Sequence, residues 1–317
     1  MDIGSCSKMQ AGPHNKRLHL IIASVTLRAG ARTAPATLAG EPNVRLTGLW
    51  LWIGPRLASC ALDLGEVVMR NPFAPGVGGV LSADIAVPEH ERELSFYSQI
   101  LTTGSAPLWR DDLTNNRGTP VIGLGARSPE YEALPLQWMP HFQVLDVGAS
   151  VARALELGGS ELMHGKSEDG QSQWAVLVDT MGAAFGLIPV VGDESEAADQ
   201  PESVGRISWL TLVVSDVSST CEFYEQVVGW STAPADVDGG FEMRRPDGVS
   251  AAAICHASGD NEGIPPVWIL SLPVDDFEES LRLVRDGGGE IIKGSTDVGH
   301  AVVRDPIGVC IALQAKK

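Results

Sequence analysis

Basic residues are scarce in this sequence, with 23 Lys and Arg against 40 Asp and Glu among 317 residues, a formal net charge of −17. A protein that binds nucleic acid must neutralise phosphates with Lys and Arg. Anionic membrane surfaces likewise attract polybasic segments. The composition therefore argues against nucleic-acid and membrane partners, although acidity by itself identifies no function.

Cysteine and long apolar runs are also in short supply. The five cysteines are scattered, and none forms a C-x-x-C pair. This arrangement disfavours a disulfide framework or a zinc site, and it predicts reduced thiols in a cytoplasmic protein. Two apolar runs stand out near the N terminus, at 18–27 and 46–55. Both are too short to span a bilayer, which takes roughly 20 residues.

The first 68 residues differ from the rest, because they carry seven basic and four acidic residues and show no sustained period. We interpret residues 1–74 as a poorly ordered extension. Our hypothesis is that natural translation begins at Met69, which peptides from residues 1–68 of the native protein would contradict. A basic pair at 16–17 before an apolar run resembles a weak signal peptide, so export is an alternative.

The most informative feature is an internal repeat that begins near residue 77. Segments 81–97 and 208–224 both show an apolar strand, a polar turn and a helix that carries Phe-Tyr. The closing Asp-x-x-Gly turns begin at Asp179 and Asp305. Since the offsets agree to within a few residues, the repeat covers whole domains.

Each repeat contains two smaller units, each a strand, a helix and about three further strands. We place the four modules near 77–128, 136–190, 205–256 and 265–315. Their pairs define two domains, at 75–191 and 205–317. An acidic segment at 192–204 between them is typical of a solvated linker.

The helix predicted at 147–157 illustrates the organisation of a module. Asp146 precedes it and is expected to cap its N terminus. Apolar residues recur along it at spacings of three and four, which packs one face of a helix on a sheet. We expect Val151, Ala154 and Leu155 to point inward.

These residues resemble the vicinal oxygen chelate superfamily, which includes glyoxalase I, bleomycin-resistance proteins and extradiol dioxygenases. The resemblance covers about residues 75–316. It rests on the strand, Asp, helix, Phe-Tyr and Gly-Trp order at 213–230 and on the Asp-Pro-x-Gly turn at 305–308. It implies an α+β fold of two tandem domains, each a pair of βαβββ modules that form a cupped mixed sheet with helices outside. Each cup would be a ligand site, formed by modules of one chain, in a monomer or a homodimer.

Enzymes of this superfamily hold a divalent metal with two His and a carboxylate, which suits an open transition-metal site. The matching positions are Ser82, Met139 and Gly186 in the first domain and Trp209, Ile269 and Ala312 in the second. None of these residues supplies an imidazole or a carboxylate. The sequence therefore predicts no metal site and no cofactor in either cup.

Six residues of predicted cup strands are candidates for ligand binding, because aromatic rings stack on flat ligands and polar groups orient them. They are Trp138, His141, Gln143, Trp174, Trp209 and Trp268. Core packing is the alternative for each tryptophan, and a satisfied core or rim position is the alternative for His141. We expect His164 and His300 at exposed loop positions.

The leading interpretation is a protein that binds a small, partly aromatic molecule in a cupped sheet without metal chemistry. One alternative is an enzyme of lyase, isomerase or dioxygenase type, with a non-standard metal site or a site based on His141. The other is a degenerate scaffold for protein association. The identity of the ligand, the number of working cups and the oligomeric state are left open by the sequence.

Overall fold

The computed structural model describes residues 75–101, 122–191, 207–235 and 240–316. They form an α+β structure with two mixed sheets, one in each predicted domain. The predicted extension at 1–74 and the predicted linker at 192–204 lie outside these residues. None of the described helices combines the length and apolar character that a bilayer crossing needs.

The first domain has six described strands and two helices. They are β1 (Val80–Val87), α1 (His90–Leu101), β2 (Ile122–Ala126), β3 (Met139–Val144), α2 (Val147–Glu156), β4 (Ser160–Lys166), β5 (Ser172–Val178) and β6 (Ala184–Pro189). The strand order is β2-β1-β3-β6-β5-β4. The antiparallel pair β1–β3 joins the two modules, whereas β2 runs parallel to β1 and β6 runs parallel to β3.

The second domain has eight described strands and repeats this plan. Its elements are β7 (Trp209–Val214), α3 (Val217–Val228), β8 (Ser231–Pro234), β9 (Phe241–Arg244), β10 (Ser250–His256), β11 (Trp268–Val274), α4 (Phe277–Asp286), β12 (Glu290–Ser295), β13 (His300–Arg304) and β14 (Cys310–Ala315). The order is β12-β13-β14-β11-β7-β10-β9-β8, with β7–β11 as the antiparallel junction. The second domain therefore shows the predicted pair of βαβββ modules, and β3 to β6 with α2 form another such module in the first domain.

Aspartate caps begin three of the four described helices, because a side-chain oxygen there satisfies an N–H group that the helix leaves unpaired. They are Asp146, which accepts from the Ala149 N–H, Asp216 from Ser219 and Asp276 from Glu279. Glycines with positive φ follow three helix ends, at Gly158, Gly229 and Gly288. The predicted helix boundaries are confirmed to within a residue or two.

One prediction for α2 is wrong. Val151 and Ala154 are buried as expected, but Leu155 is 46% exposed. A residue one position beyond Ala154 is rotated by about 100° around the helix axis. The buried face therefore follows Val147, Val151 and Ala154, and Leu155 lies on its flank.

The helices of the two domains pack on one another, α1 against α4 and α2 against α3. A single core cluster takes side chains from all four helices and from both sheets. Within it, the Tyr97 hydroxyl donates to Asp305 Oδ2 at 2.8 Å, and the Tyr224 hydroxyl donates to Asp179 Oδ2 at 3.0 Å. Each domain thus sends one tyrosine to the closing turn of the other, and the two domains share one core.

Candidate functional site

Each sheet has one face against the helices and one face that points away from them, here called the distal face. Alternate residues of a strand point to opposite faces. On β1, Ala83 and Ile85 belong to the core cluster that contains the helices. Ser82 and Asp84 therefore lie on the distal face of the first domain.

The strand register brings His141 to the same place. Asp84 pairs with Met139 across β1 and β3, so that His141, two residues further, lies beside Ser82. On its other side His141 pairs with Gly186 of β6, which in turn pairs with Val176 of β5. His141 therefore stands at the centre of the distal face.

Ser82, His141 and Asp84 form a polar trio. The Ser82 Oγ lies 2.8 Å from His141 Nδ1, and His141 Nε2 lies 3.6 Å from Asp84 Oδ2. All three residues are buried, with 4–5% of their surface exposed. Sequence reasoning found His141 but missed its partners. The available signal was the i, i+2 spacing of Ser82 and Asp84 on a strand that pairs with the strand of His141.

The electrostatics of the trio follow from its burial. Burial raises the pKa of the Asp84 carboxyl, while His141 and the backbone of Gly123 act in the opposite direction. No hydrogen bond of normal geometry from the described residues reaches Asp84 Oδ1. A carboxylate beside Nε2 favours the imidazole tautomer with its proton on Nε2, and Ser82 then donates to Nδ1.

The residues at the three metal-ligand positions of the first domain do not fit the expected metal. The Ser82 hydroxyl is engaged with His141, and Met139 offers only a thioether. A Cβ added at Gly186 would collide with the His141 ring, so the imidazole fills the space where a carboxylate would project. Among the residues that the structure describes, no three His, Cys, Asp or Glu side chains converge into a group that could hold a metal ion.

Two further predicted candidates, Trp174 and Gln143, lie on this distal face. Trp174 precedes Val176 by two residues on β5 and is partly exposed, with its indole over Gly165. Gln143 is fully buried, and its Oε1 accepts the Val191 N–H at 3.1 Å. Gln143 thereby fastens the end of the first domain to its sheet, and Trp174 is the more accessible of the two.

Trp138 and Trp268 lie elsewhere, in the core that contains the helices. Both are fully buried. The Trp138 ring meets the edge of Tyr97 at a centroid distance of 5.5 Å, and Trp268 Nε1 donates to the Tyr224 hydroxyl at 2.9 Å. Trp138 and His141 are three positions apart, and an odd difference in position accounts for their opposite faces. The structure thus separates these two tryptophans from the other candidates.

The exposed loop positions predicted for His164 and His300 are wrong. His164 lies within β4, hydrogen-bonded to Glu161 and to the Ser172 hydroxyl, and its side chain is 10% exposed. His300 begins β13, and burial lowers its pKa, with Lys293 adding to the effect. The sequence places both residues near strand ends, but they lie in the strands themselves.

The distal face of the second domain has an apolar centre. Seven buried residues cluster there: Val213, Cys255, Ile264, Ile269, Val302, Cys310 and Ala312. The register places Ser271 where the first domain has His141, since Ser271 pairs with Ala312 as His141 pairs with Gly186. Thr211 likewise corresponds to Asp84. Trp209, the remaining candidate, pairs with Ser271 and is partly exposed.

Comparison with known proteins finds a family match in the second domain. Residues 206–313 match the family model described as the Glyoxalase/Bleomycin resistance protein/Dioxygenase superfamily. The resemblance to that superfamily predicted from the sequence is therefore confirmed for the second domain.

Two curated relatives illustrate the similarity. A Mycobacterium tuberculosis protein whose name assigns it provisionally to the glyoxylases, CFP32, is 32% identical over 117 residues, which cover 34% of this chain and 45% of that protein. The anthracycline biosynthesis protein DnrV of Streptomyces peucetius is 28% identical over 130 residues, covering 35% and 47%. The match spans about half the length of each of these relatives.

Solved structures of dioxygenases also resemble the chain. Homoprotocatechuate 2,3-dioxygenase from Brevibacterium fuscum aligns with a TM-score of 0.47 and 14% identity, over 80% of this chain and 74% of that one. The 2,2',3-trihydroxybiphenyl 1,2-dioxygenase of Sphingomonas wittichii aligns with a TM-score of 0.45 and 14% identity, covering 76% and 90%. Similarities at this level support no conclusion about activity.

Proposed function

We propose that the chain binds a small, partly aromatic molecule on the distal face of its first domain and does so without a metal. The observation that carries this proposal is the buried Ser82–His141–Asp84 trio. A buried charge lowers stability unless it is fully paired. The second domain forms the same strands with neutral residues at these positions, so the fold itself does not require the trio.

The aromatic part of the ligand is proposed from the surroundings of the trio. Trp174 lies partly exposed on the same face, and a ring of this kind can stack on a flat ligand. Met139, Val176 and Ile188 supply apolar surface near it. The names of the relatives point to two different chemistries, glyoxylase and anthracycline biosynthesis, so the side chains are the better guide.

Binding can be tested with the tryptophan signal of the intact protein. We expect aromatic metabolites from a broad library to change the fluorescence, and native mass spectrometry of the purified protein to reveal a co-purified ligand. Trp174→Phe should remove most of the response, whereas Trp209→Phe in the second domain should leave it nearly unchanged. A response that depends on Trp209 and not on Trp174 would contradict the proposed location.

The metal-free part of the proposal has a separate test. We expect elemental analysis of purified protein to find Fe, Zn, Ni and Mn well below one equivalent. Stoichiometric metal that survives dialysis would contradict this part and leave the location of the ligand untouched. The proposed cytoplasmic location rests on the scattered cysteines of the sequence, none of which forms a C-x-x-C pair.

Proton transfer by His141 is a second candidate function, favoured by the position of the Asp84 carboxylate beside its Nε2. This arrangement can stabilise an imidazolium that forms when the ring accepts a proton. A ligand identified by the binding experiments should then incorporate deuterium at an acidic C–H when it is incubated with the protein in heavy water. The exchange should be lost in His141→Gln and retained in Ser271→Ala of the second domain.

A further inference from the structure

The polar trio has hydrogen-bonding capacity that its own members do not use. The 3.6 Å separation of His141 Nε2 from Asp84 Oδ2 exceeds the length of a normal hydrogen bond. Asp84 Oδ1 also accepts no hydrogen bond of normal geometry from the described residues. Buried polar atoms are almost always satisfied by a partner. An external group that fits between these atoms would therefore be strongly favoured.

Ser82 determines what that group must be. Because Nδ1 is occupied by the Ser82 hydroxyl and a carboxylate flanks Nε2, the site presents one N–H donor beside one carboxylate acceptor. A hydroxyl complements both, since it can accept from Nε2–H and donate to Asp84. A carbonyl or an ether oxygen could use only the donor, and a carboxylate would be repelled by Asp84. A phenol or an enol donates more strongly than an aliphatic alcohol and gains more from the charged acceptor.

We propose that Asp84 and His141 recognise a phenolic or enolic hydroxyl group of the bound molecule, donated to the Asp84 carboxylate and held by His141 Nε2–H. This inference rests on the proposed function and defines the chemical class of its ligand. Among the described residues, Tyr131 is a further titratable group near the carboxylate, and burial raises the pKa of its phenol to about 12, so it stays neutral.

The second domain provides an internal control for the inference. Its residues at the two positions are Thr211 and Ser271, which carry no charge, and the buried residues that cluster at the centre of its distal face are apolar. His300 and Gln314 lie further along the same face, on β13 and β14. A molecule bound there would be held by apolar contact and would gain little from a hydroxyl. Discrimination between a phenol and its methyl ether is therefore expected from the first domain alone.

The experiment measures the affinities of 2-naphthol and 2-methoxynaphthalene for the full chain by isothermal titration calorimetry. The wild type should prefer 2-naphthol by at least about tenfold, the factor that corresponds to about 1.4 kcal/mol. Asp84→Asn and His141→Gln should each reduce the preference to below about threefold, the change expected when one of two paired hydrogen bonds is lost. Both should retain their affinity for 2-methoxynaphthalene, which shows that the face is still folded. Ser271→Ala should keep the full preference.

Three outcomes would overturn the inference. Equal affinity of the wild type for the two probes would show that no hydroxyl is recognised. A preference that survives in both first-domain variants would place recognition elsewhere, as would its loss in Ser271→Ala. Failure of both probes to bind the wild type would count against the proposed function itself, and the inference would fall with it. The first two results leave small-molecule binding intact, so the two failures are distinguishable.

Discussion

The two distal faces are built from equivalent strands in equivalent register, yet their chemistry differs. In the first domain Asp84 and His141 occupy positions that Thr211 and Ser271 occupy in the second. The faces toward the helices are alike, with Tyr-Trp contacts in both halves. Folding therefore depends on the shared core, and each distal face is free to vary. The buried Asp84–His141 pair at only one of the two equivalent places is the observation on which the proposed ligand site rests.

The closing turns provide the largest expected effect. Asp179→Ala removes the hydrogen bonds from Tyr224 and from two backbone N–H groups of its turn, with an expected loss of about 3–4 kcal/mol. The loss of unfolding free energy in Asp305→Ala should be smaller by about 1–2 kcal/mol. The reason is that this change also removes the repulsion between the Asp305 carboxylate and the buried Glu93. Chemical denaturation measures both losses, and equal values would contradict the asymmetry.

Gly186 offers the next test, since the His141 ring lies over it. Gly186→Ala should displace the ring and destabilise the chain by about 1–3 kcal/mol, the usual effect of overpacking. The reciprocal change in the second domain, Ala312→Gly, should lower the free energy of unfolding by about 1 kcal/mol, because it removes a methyl group and makes the strand more flexible. Thermal unfolding of both variants compares them. A neutral Gly186→Ala would show that the imidazole has room to move.

Glu93 should make stability depend on pH. Burial, followed by the charge of Asp305, raises its pKa from 4.5 to about 7. Because the folded state disfavours the ionised form, the stability contributed by this group is present below about pH 4.5 and is lost as pH rises to about 7.

Glu93→Gln should therefore stabilise the chain at pH 8 relative to the wild type, and much less so at pH 4.5. The control is Glu91→Gln at an exposed position of the same helix, which should shift the unfolding midpoint little at either pH. If the stability of the wild type and of Glu93→Gln changed in parallel between pH 4.5 and pH 8, the raised pKa of Glu93 would be contradicted.

The smallest expected effect concerns the thiols of the second domain. Burial raises the pKa of Cys221 to about 12 and also raises the pKa of Cys310. Little thiolate forms at pH 8, so both should react slowly with iodoacetamide in the folded chain and quickly after unfolding. Site-resolved mass spectrometry measures each cysteine. Rapid native labelling of Cys310 would show that the apolar distal face opens to solvent.

Much of the fold could be predicted from local patterns. Asp146 marks a helix start because its cap interaction lies within four residues along the chain. The strands β3 and β11 and the four-module order follow from periodicity and repetition. The prediction that Leu155 points inward was wrong, because a spacing of four also fits a residue on the flank of a helix.

The candidate site was predicted only in part. His141 and Trp174 were singled out by residue type and by strand membership, and the structure places them on one face. Trp138 and Trp268 have the same residue type as Trp174, but they point into the core. Which side of a strand faces the helices depends on packing between elements that are distant in sequence.

By itself, the sequence determined the resemblance to the superfamily, the repeated modules and the residues at the expected metal positions, because these depend on residue identity and regular spacing. Tertiary structure alone decided that Ser82, His141 and Asp84 meet, since strands β1 and β3 are brought together from positions 59 residues apart. It also decided that the imidazole occupies the space above Gly186. Such contacts depend on register and burial, which arise only when the sheet and the shared core assemble.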